Sequence, residues 1–244
     1  MAYEHSFRVH SYEVNPRAQA RLTTLANYFQ EVAYRHATEL GLGYEALQEN
    51  GQVWVLSRMR IRMNRCPRWN DQVTVRTWPR GADRLFALRD FRVFDHKGKE
   101  MGCASTAWLV LNVDTHNLVR PTELSQDYRD LIEEDRVFAE DLDKIKLSGD
   151  PDAVREHRVV YSDLDIVGHV NNVKYLEWCL DALDETDRIP GVQSLEINFI
   201  QEALLGDRIR MEMWDSRSDA IGFRATRIED GKEIFRARLG FQGA

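Results

Sequence analysis

Residues 161–178 read YSDLDIVGHVNNVKYLEW, and the stretch changes character halfway. Its first part crowds two aspartates, a glycine, a histidine and two asparagines together. Its second part is apolar at helical spacing. Such a run sets polar groups at the mouth of a helix N-terminus, where unpaired backbone N–H groups and the helix dipole favour negative charge. The helix predicted at 171–183 is apolar on more than one side, through Val173, Tyr175, Leu176, Trp178, Cys179, Leu180 and Leu183. A helix of that kind needs protein around most of its circumference, as a sheet wrapped about it would provide.

The flanks fit that demand. A strand is predicted at 156–162 ahead of the helix, and strands at 194–200, 207–214, 221–228 and 233–241 behind it. The same order occurs earlier in the chain. A strand at 5–14 leads into a helix at 22–40, where Leu25, Tyr28, Phe29, Val32, Ala33 and His36 recur on one face. Strands follow at 52–63, 72–78, 85–94 and 101–113, with HKGKE at 96–100 as a hairpin turn. Residues 121–156 break the pattern. They begin at Pro121, carry acidic clusters (Glu133, Glu134, Asp135; Glu140, Asp141, Asp143) and read as a connector with a short helix at 127–135.

Particular residues repeat as well. Asn27-Tyr28-Phe29-Gln30-Glu31 matches Lys174-Tyr175-Leu176-Glu177-Trp178 at an offset of 147 (175 − 28). Trp69–Val73 matches Leu205–Ile209 at 136 (207 − 71), and Lys97–Glu100 matches Asp230–Glu233 at 133 (231 − 98). Three collinear matches point to duplication. The predicted class is α+β, each half a long helix wrapped by an antiparallel meander, which makes a tandem hotdog. The boundaries are 1–120 for the first hotdog, 121–155 for the connector and 156–244 for the second.

Composition removes several function classes. The 244 residues carry a formal net charge of −7, unsuited to non-specific nucleic-acid binding. No apolar run approaches the ~20 residues that span a bilayer, so no membrane is expected. MAYEHSFRVHSYEV has no cationic start ahead of an apolar core, so no secretory signal is expected either. Cys66, Cys103 and Cys179 are far apart and form no CxxC pair, which reads as reduced thiols in a cytoplasmic protein. The seven histidines show no ligand-like spacing, and no GxSxG elbow, P-loop or dinucleotide fingerprint is present. Neither a metal nor a cofactor is expected.

What the 161–178 stretch could serve is attack of water on a thioester. That reaction needs a positioned water, a base for its proton, and donors for the tetrahedral oxyanion. A thiolate leaves readily, its free pKa being about 8.5, so a strong general acid is less necessary. Asp165 and His169 lie four residues apart around Gly168. Backbone N–H groups near Gly168, Val170, Asn171 and Asn172 would face a carbonyl oxygen bound at the helix start. Asp163, Asn171 and Asn172 read mainly as turn and cap residues. Asp165 and His169 read as functional, since a turn does not need both. Glu202, in SLEINFIQEALLGD, ends an alternating strand and precedes Ala203, Leu204 and Leu205. A carboxylate among apolar neighbours can be tuned into a base; an exposed strand-end glutamate is the equal alternative. On the offsets above, Asp165 falls opposite Ala18, His169 opposite Leu22 and Glu202 opposite Cys66. Only the second half then carries the candidate groups, and one active site per chain follows.

Over nearly its whole length the chain resembles the acyl-acyl-carrier-protein thioesterases of plants and bacteria. The resemblance rests on SYEV at 11–14, LANYFQEVAYRHA at 25–37, WVLSRM at 54–59, PRWNDQVTVRTW at 67–78, SDLDIVGHVNNVKYLEW at 162–178 and the Glu202 segment. It implies a tandem hotdog that releases free fatty acid from acyl carrier protein, with a D-x-N-x-H motif and a later Glu. Asp165, His169 and Glu202 match that set. Val167 stands at the Asn position and Ala203 where plant members often carry Cys. The reaction implied is direct water attack with Glu202 or Asp165 as base, and His169 orienting water or carbonyl. The first half would supply an acyl pocket, for which Leu25, Phe29, Val32, Trp54 and Met59 are candidates, core packing being the commoner role for each. Arg58, Arg60 and Arg62 share one side of a strand, with Arg65 and Arg68 beyond. Against an acidic carrier protein they are docking candidates; a solvated sheet face is the more ordinary reading. The resemblance leaves open a same-fold enzyme acting on acyl-CoA, a non-catalytic acyl-binding protein, and a homodimer.

Overall fold

Leu22, Leu25, Phe29, Val32, Ala33 and His36 are all buried along α1, Leu22–Glu39, so the periodic face read from the sequence is the face that packs. The computed structural model describes residues 2–123, 132, 135–183, 192–216 and 220–241. They fall into two units, 1–142 and 143–244.

The first unit comprises β1 (Tyr3–Arg8), α1, α2 (Tyr44–Gln48), β2 (Gln52–Met63), β3 (Gln72–Asp83), β4 (Phe86–Asp95), β5 (Glu100–Asn112) and β6 (Leu118–Val119). Its antiparallel order is β1-β3-β4-β5-β2, with β6 on β5. The second comprises β7 (Ala153–Arg158), α3 (Asn172–Asp181), β8 (Val192–Phe199), β9 (Arg208–Ser216), β10 (Ala220–Arg227) and β11 (Glu233–Phe241), in the order β7-β9-β10-β11-β8. The two orders correspond strand for strand. In the first unit α1 sets Phe29 5.0 Å from Phe91 of β4. In the second, α3 sets Tyr175 5.2 Å from Phe235 of β11. Each unit is a helix laid across an antiparallel sheet, and the tandem α+β hotdog read from the repeat is what the chain forms. A short helix expected at 127–135 lies, save for residues 132 and 135, outside the described residues.

Two strands are shorter than their sequence patterns suggest. β1 stops at Arg8 and β7 at Arg158, because a carboxylate five residues on draws the backbone into a turn. Glu13 Oε2 accepts from His10 N at 2.6 Å, and Asp163 Oδ2 from Val160 N at 2.9 Å. One turn of 3-10 helix follows each, at Ser11–Glu13 and Tyr161–Asp163.

The loop after it repeats too, and it corrects the register of the duplication. Asn15 Oδ1 accepts from Arg17 N (2.9 Å) and Gln19 N (3.1 Å). Asp165 Oδ1 accepts from Val167 N (3.0 Å) and His169 N (3.2 Å). Ala18 and Gly168 both turn the chain at positive φ, 57° and 82°. The offset here is 150 (165 − 15), not 147, and it continues into the helices, which begin at Leu22 and Asn172. Asp165 therefore corresponds to Asn15 and His169 to Gln19, rather than to Ala18 and Leu22. The slip has a simple cause: moving a helix by three residues returns nearly the same face, so apolar periodicity aligns almost as well one turn out of step. Near Glu202 the 136 offset holds, since Ala20 N donates to Pro67 O as Val170 N does to Ala203 O.

Two expectations follow. Since Asp165 Oδ1 serves as an acceptor as Asn15 Oδ1 does, Asp165→Asn should leave the stability of the second unit within about 0.5 kcal/mol, whereas Asp165→Ala should cost about 1 kcal/mol in urea unfolding, the scale of a lost side-chain cap. The second concerns His36, which is 2% exposed and whose Nδ1 lies 2.9 Å from Nη1 of Arg89. A guanidinium only donates, so Nδ1 accepts and the imidazole is neutral. Burial, helped by the Arg89 charge, lowers its pKa to about 4. Between about pH 6.5 and 4 the unfolded chain then binds the extra proton and the folded chain does not, so stability falls as pH falls through that window. About 3 kcal/mol of loss by pH 4 is expected from this group, measured as the difference between the unfolding free energies of the wild type and His36→Gln across the window.

Candidate active site

His169 and Glu202 come from two segments that the backbone staples together. Val170 N donates to Ala203 O at 3.0 Å, and His169 forms a single antiparallel bridge with Leu204. After β8 the chain bulges: Ile200 N (2.8 Å) and Gln201 N (3.1 Å) both donate to Ile234 O. The Glu202 carbonyl is then held by Nη2 of Arg227 at 3.1 Å, and Ala203 N by the Tyr175 hydroxyl at 3.0 Å. The outcome is a contact of 3.0 Å between His169 Nδ1 and Glu202 Oε2. Their side chains are 41% and 62% exposed, so the pair is open to an incoming reactant. A carboxylate oxygen at that distance can accept from Nδ1–H, and the tautomer with its proton on Nδ1 carries the free lone pair on Nε2.

Asp165 sits on the same loop but is engaged differently. Its Oδ1 is taken up by two backbone amides of its own turn. Three of the four backbone donors expected for an oxyanion, and His169 N between them, are committed. Gly168 N donates to Asp165 O (3.1 Å), His169 N to Asp165 Oδ1 (3.2 Å), Val170 N to Ala203 O (3.0 Å) and Asn171 N to Asp163 O (2.9 Å). In this conformation Gly168, Val170 and Asn171 offer no amide hydrogen to a ligand, because the turn and the staple consume them. The Asn171 side chain accepts from Val173 N at 2.9 Å and caps α3, whose first residue is Asn172. Val167 is half exposed, and its amide closes the Asp165 turn. Exposed apolar side chains flank the pair on both segments: Ile166 and Val167 on one, Leu204 and Leu205 on the other.

The first unit closes its equivalent loop with Gln19 and Cys66 at the two positions, and burial raises the Cys66 thiol pKa. The pocket candidates Leu25, Phe29, Val32 and Met59 are all buried there, and Trp54 is partly buried with Nε1 donating to Leu42 O at 2.8 Å. The arginine stripe is not an open face. Arg58 stacks on Phe86 at 4.8 Å and donates to Leu142 O. Arg60 donates to Asp141 O at 3.1 Å, and the guanidiniums of Arg60 and Arg62 lie 5.2 and 5.1 Å from the Phe138 ring centre. The connector read as a mere link thus lies on the stripe and occupies it. Arg65 pairs with Asp95 at 2.6 Å; Arg68 is exposed. Reading the sequence missed Arg227, Tyr175 and this strap. The one signal for the strap was charge, with Glu140 and Asp141 lying beside Arg60.

Among the described residues no group of three or more His, Cys, Asp or Glu could hold a metal ion, and no helix is long and apolar enough to cross a membrane. Comparison with known proteins gives one family. Residues 1–132 match the acyl-ACP thioesterase N-terminal domain, and residues 148–243 the C-terminal domain. An acyl-carrier-protein hydrolase of Cuphea viscosissima, named as chloroplastic, is 28% identical over 96% of this chain and 60% of its own length. A palmitoyl-acyl carrier protein thioesterase of Gossypium hirsutum, also named as chloroplastic, is 32% identical over 81% of this chain and 50% of its own. The chain thus spans about half to three fifths of the length of these curated relatives. Among solved structures, an acyl-ACP thioesterase from Bacteroides thetaiotaomicron superposes with a TM-score of 0.90 at 26% identity, covering 99% of this chain and 98% of that one. The 12:0-ACP thioesterase of Umbellularia californica shares the fold, with a TM-score of 0.86 at 23% identity over 99% and 97% of the two chains. With both halves matched in order, this chain belongs to the acyl-ACP thioesterase family.

Proposed function

We propose that the chain hydrolyses the thioester of fatty acyl-acyl carrier protein, with His169 and Glu202 as the reacting pair. The 3.0 Å contact between His169 Nδ1 and Glu202 Oε2 carries the reading. The sequence alone favoured Glu202 or Asp165 as base; the contact favours His169. Glu202 fixes the tautomer and orientation of the ring, and Nε2 takes a proton from a water held beside the thioester carbonyl. The resulting hydroxide attacks the carbonyl carbon and the tetrahedral intermediate forms. It collapses with cleavage of the C–S bond. The thiolate departs and recovers the proton from the imidazolium, so one water yields one acid and one thiol. Glu202 stabilises the imidazolium while it lasts, and the imidazolium N–H can donate to the developing oxyanion. Asp165 holds the turn that presents His169. The acyl carrier protein is the proposed partner, supported by the family match across both halves. The three free thiols, Cys66, Cys103 and Cys179, support a cytoplasmic setting.

Release of free thiol from a panel of acyl carrier proteins tests the proposal, with acyl-CoA run alongside. His169→Ala and Glu202→Ala should each lower kcat at least ~100-fold, and the double variant should be little worse than either, since the two act as a unit. Near-normal turnover in both single variants would overturn the assignment. Val167→Asn, which restores the polar residue of the D-x-N-x-H pattern beside the pair, should change kcat more than KM; unchanged kinetics would show that the position takes no part.

A further inference from the structure

The duplicated architecture supplies its own control for the catalytic half. At the staple the two units follow the same backbone path: Asn64 N and Arg65 N donate to Met101 O as Ile200 N and Gln201 N donate to Ile234 O. Ala20 N donates to Pro67 O at 2.7 Å as Val170 N does to Ala203 O. One of the interactions that differ lies at the staple itself. In the second unit the Tyr175 hydroxyl accepts from Ala203 N. By the two offsets, Tyr175 corresponds to Leu25 (175 − 150) and Ala203 to Pro67 (203 − 136). The first unit therefore lacks both halves of the bond, since leucine has no hydroxyl and proline has no N–H. The fold closes without it. The bond occurs in the unit that carries His169 and Glu202.

We infer that Tyr175 is a positioning residue for Glu202, a role that rests on the reading of His169 and Glu202 given above. The peptide joining Glu202 to Ala203 is gripped at both ends, Glu202 O by Arg227 Nη2 at 3.1 Å and Ala203 N by the Tyr175 hydroxyl at 3.0 Å. Fixing that peptide plane fixes ψ of Glu202, and with it the origin from which the carboxylate reaches His169. In the first unit the same torsion, at Cys66, is restrained by the proline that follows it. The second unit exchanges that steric restraint for a hydrogen bond, and the acceptor is rigid. Tyr175 is 3% exposed, with its ring 5.0 Å and perpendicular to Trp178 and 5.2 Å from Phe235. Burial, with the nearby Glu202 and Asp165 charges, raises the phenol's pKa, so it remains neutral while the pair works. A side chain as exposed as Glu202 has little packing to hold it. Its geometry has to come from the main chain beneath it.

The test is a kinetic cycle on the full chain. Tyr175→Phe keeps the ring and removes the acceptor; kcat should fall about tenfold or more with KM within about threefold, because displacing a reacting group by a fraction of an ångström acts on the chemical step. In a Glu202→Ala background the same change should leave the residual kcat within about twofold, since there is no carboxylate left to position. Thermal unfolding of each variant accompanies the assay. Should Tyr175→Phe fail to fold, Arg227→Lys loosens the other grip on the same peptide, and the same dependence on the Glu202 carboxylate is expected. Unchanged kcat, or an equal loss in both backgrounds, overturns the inference and makes Tyr175 a packing residue. Full turnover in His169→Ala would instead overturn the functional reading beneath it.

Discussion

A backbone hydrogen bond between the entry to a helix and the segment after a strand organises each unit. In the second it is Val170 N to Ala203 O, and in the first Ala20 N to Pro67 O. The proposed chemistry depends on it, because it brings together His169 and Glu202 from segments about thirty residues apart in sequence (202 − 169). A net hydrogen bond is worth only about 1 kcal/mol, so the staple does not act alone. The Asp165 turn pre-shapes one side of it, and the bulge on Ile234 O shapes the other. The staple is where two locally determined conformations meet. That is why the pair can be so open to solvent and still be held at 3.0 Å.

This arrangement has a consequence for the oxyanion. The amides of Gly168, Val170 and Asn171, at the entry to α3, are used to build the turn and the staple. A loop that holds a histidine in place spends its N–H groups internally, so in the mechanism proposed above more of the electrostatic stabilisation falls to His169 and Glu202, side chains fixed by main chain rather than main chain itself.

The fold was legible in the sequence because its signals are periodic. Alternation located β2 at Gln52–Met63, and the spacing of Leu25, Phe29, Val32 and His36 located α1. The repeat was legible too, but its register was not. Tyr28 and Tyr175 drew the alignment one helical turn out of step, and only the loops, whose carboxyl or amide acceptors have to be at one position, fix it at 150. The proposed site residues with distinctive chemistry, His169 and Glu202, stood out in the string. Tyr175 did not, because in an apolar helix a tyrosine reads as core, and it is core; its hydroxyl matters only once Ala203 is known to lie opposite. The arginine stripe failed for a related reason. Besides Phe86 and the Glu140 carboxylate, its partners are carbonyl groups and one phenylalanine of the connector, and backbone acceptors leave no mark in composition.

Duplication explains why such asymmetries can be read at all. Two copies of one fold within one chain experience the same solvent and the same folding history, so what differs between matched positions is not required by the architecture. Asn15 against Asp165 changes an uncharged acceptor for a charged one without altering the turn. Gln19 against His169 and Cys66 against Glu202 change the groups that could react. Leu25 against Tyr175 and Pro67 against Ala203 change together, and neither change makes sense without the other: an alanine amide buried opposite leucine would lose its partner, and a tyrosine hydroxyl opposite proline would lose its donor. Paired substitutions of that kind mark a constraint that acts on one half only. The constraint is where the Glu202 carboxylate has to be.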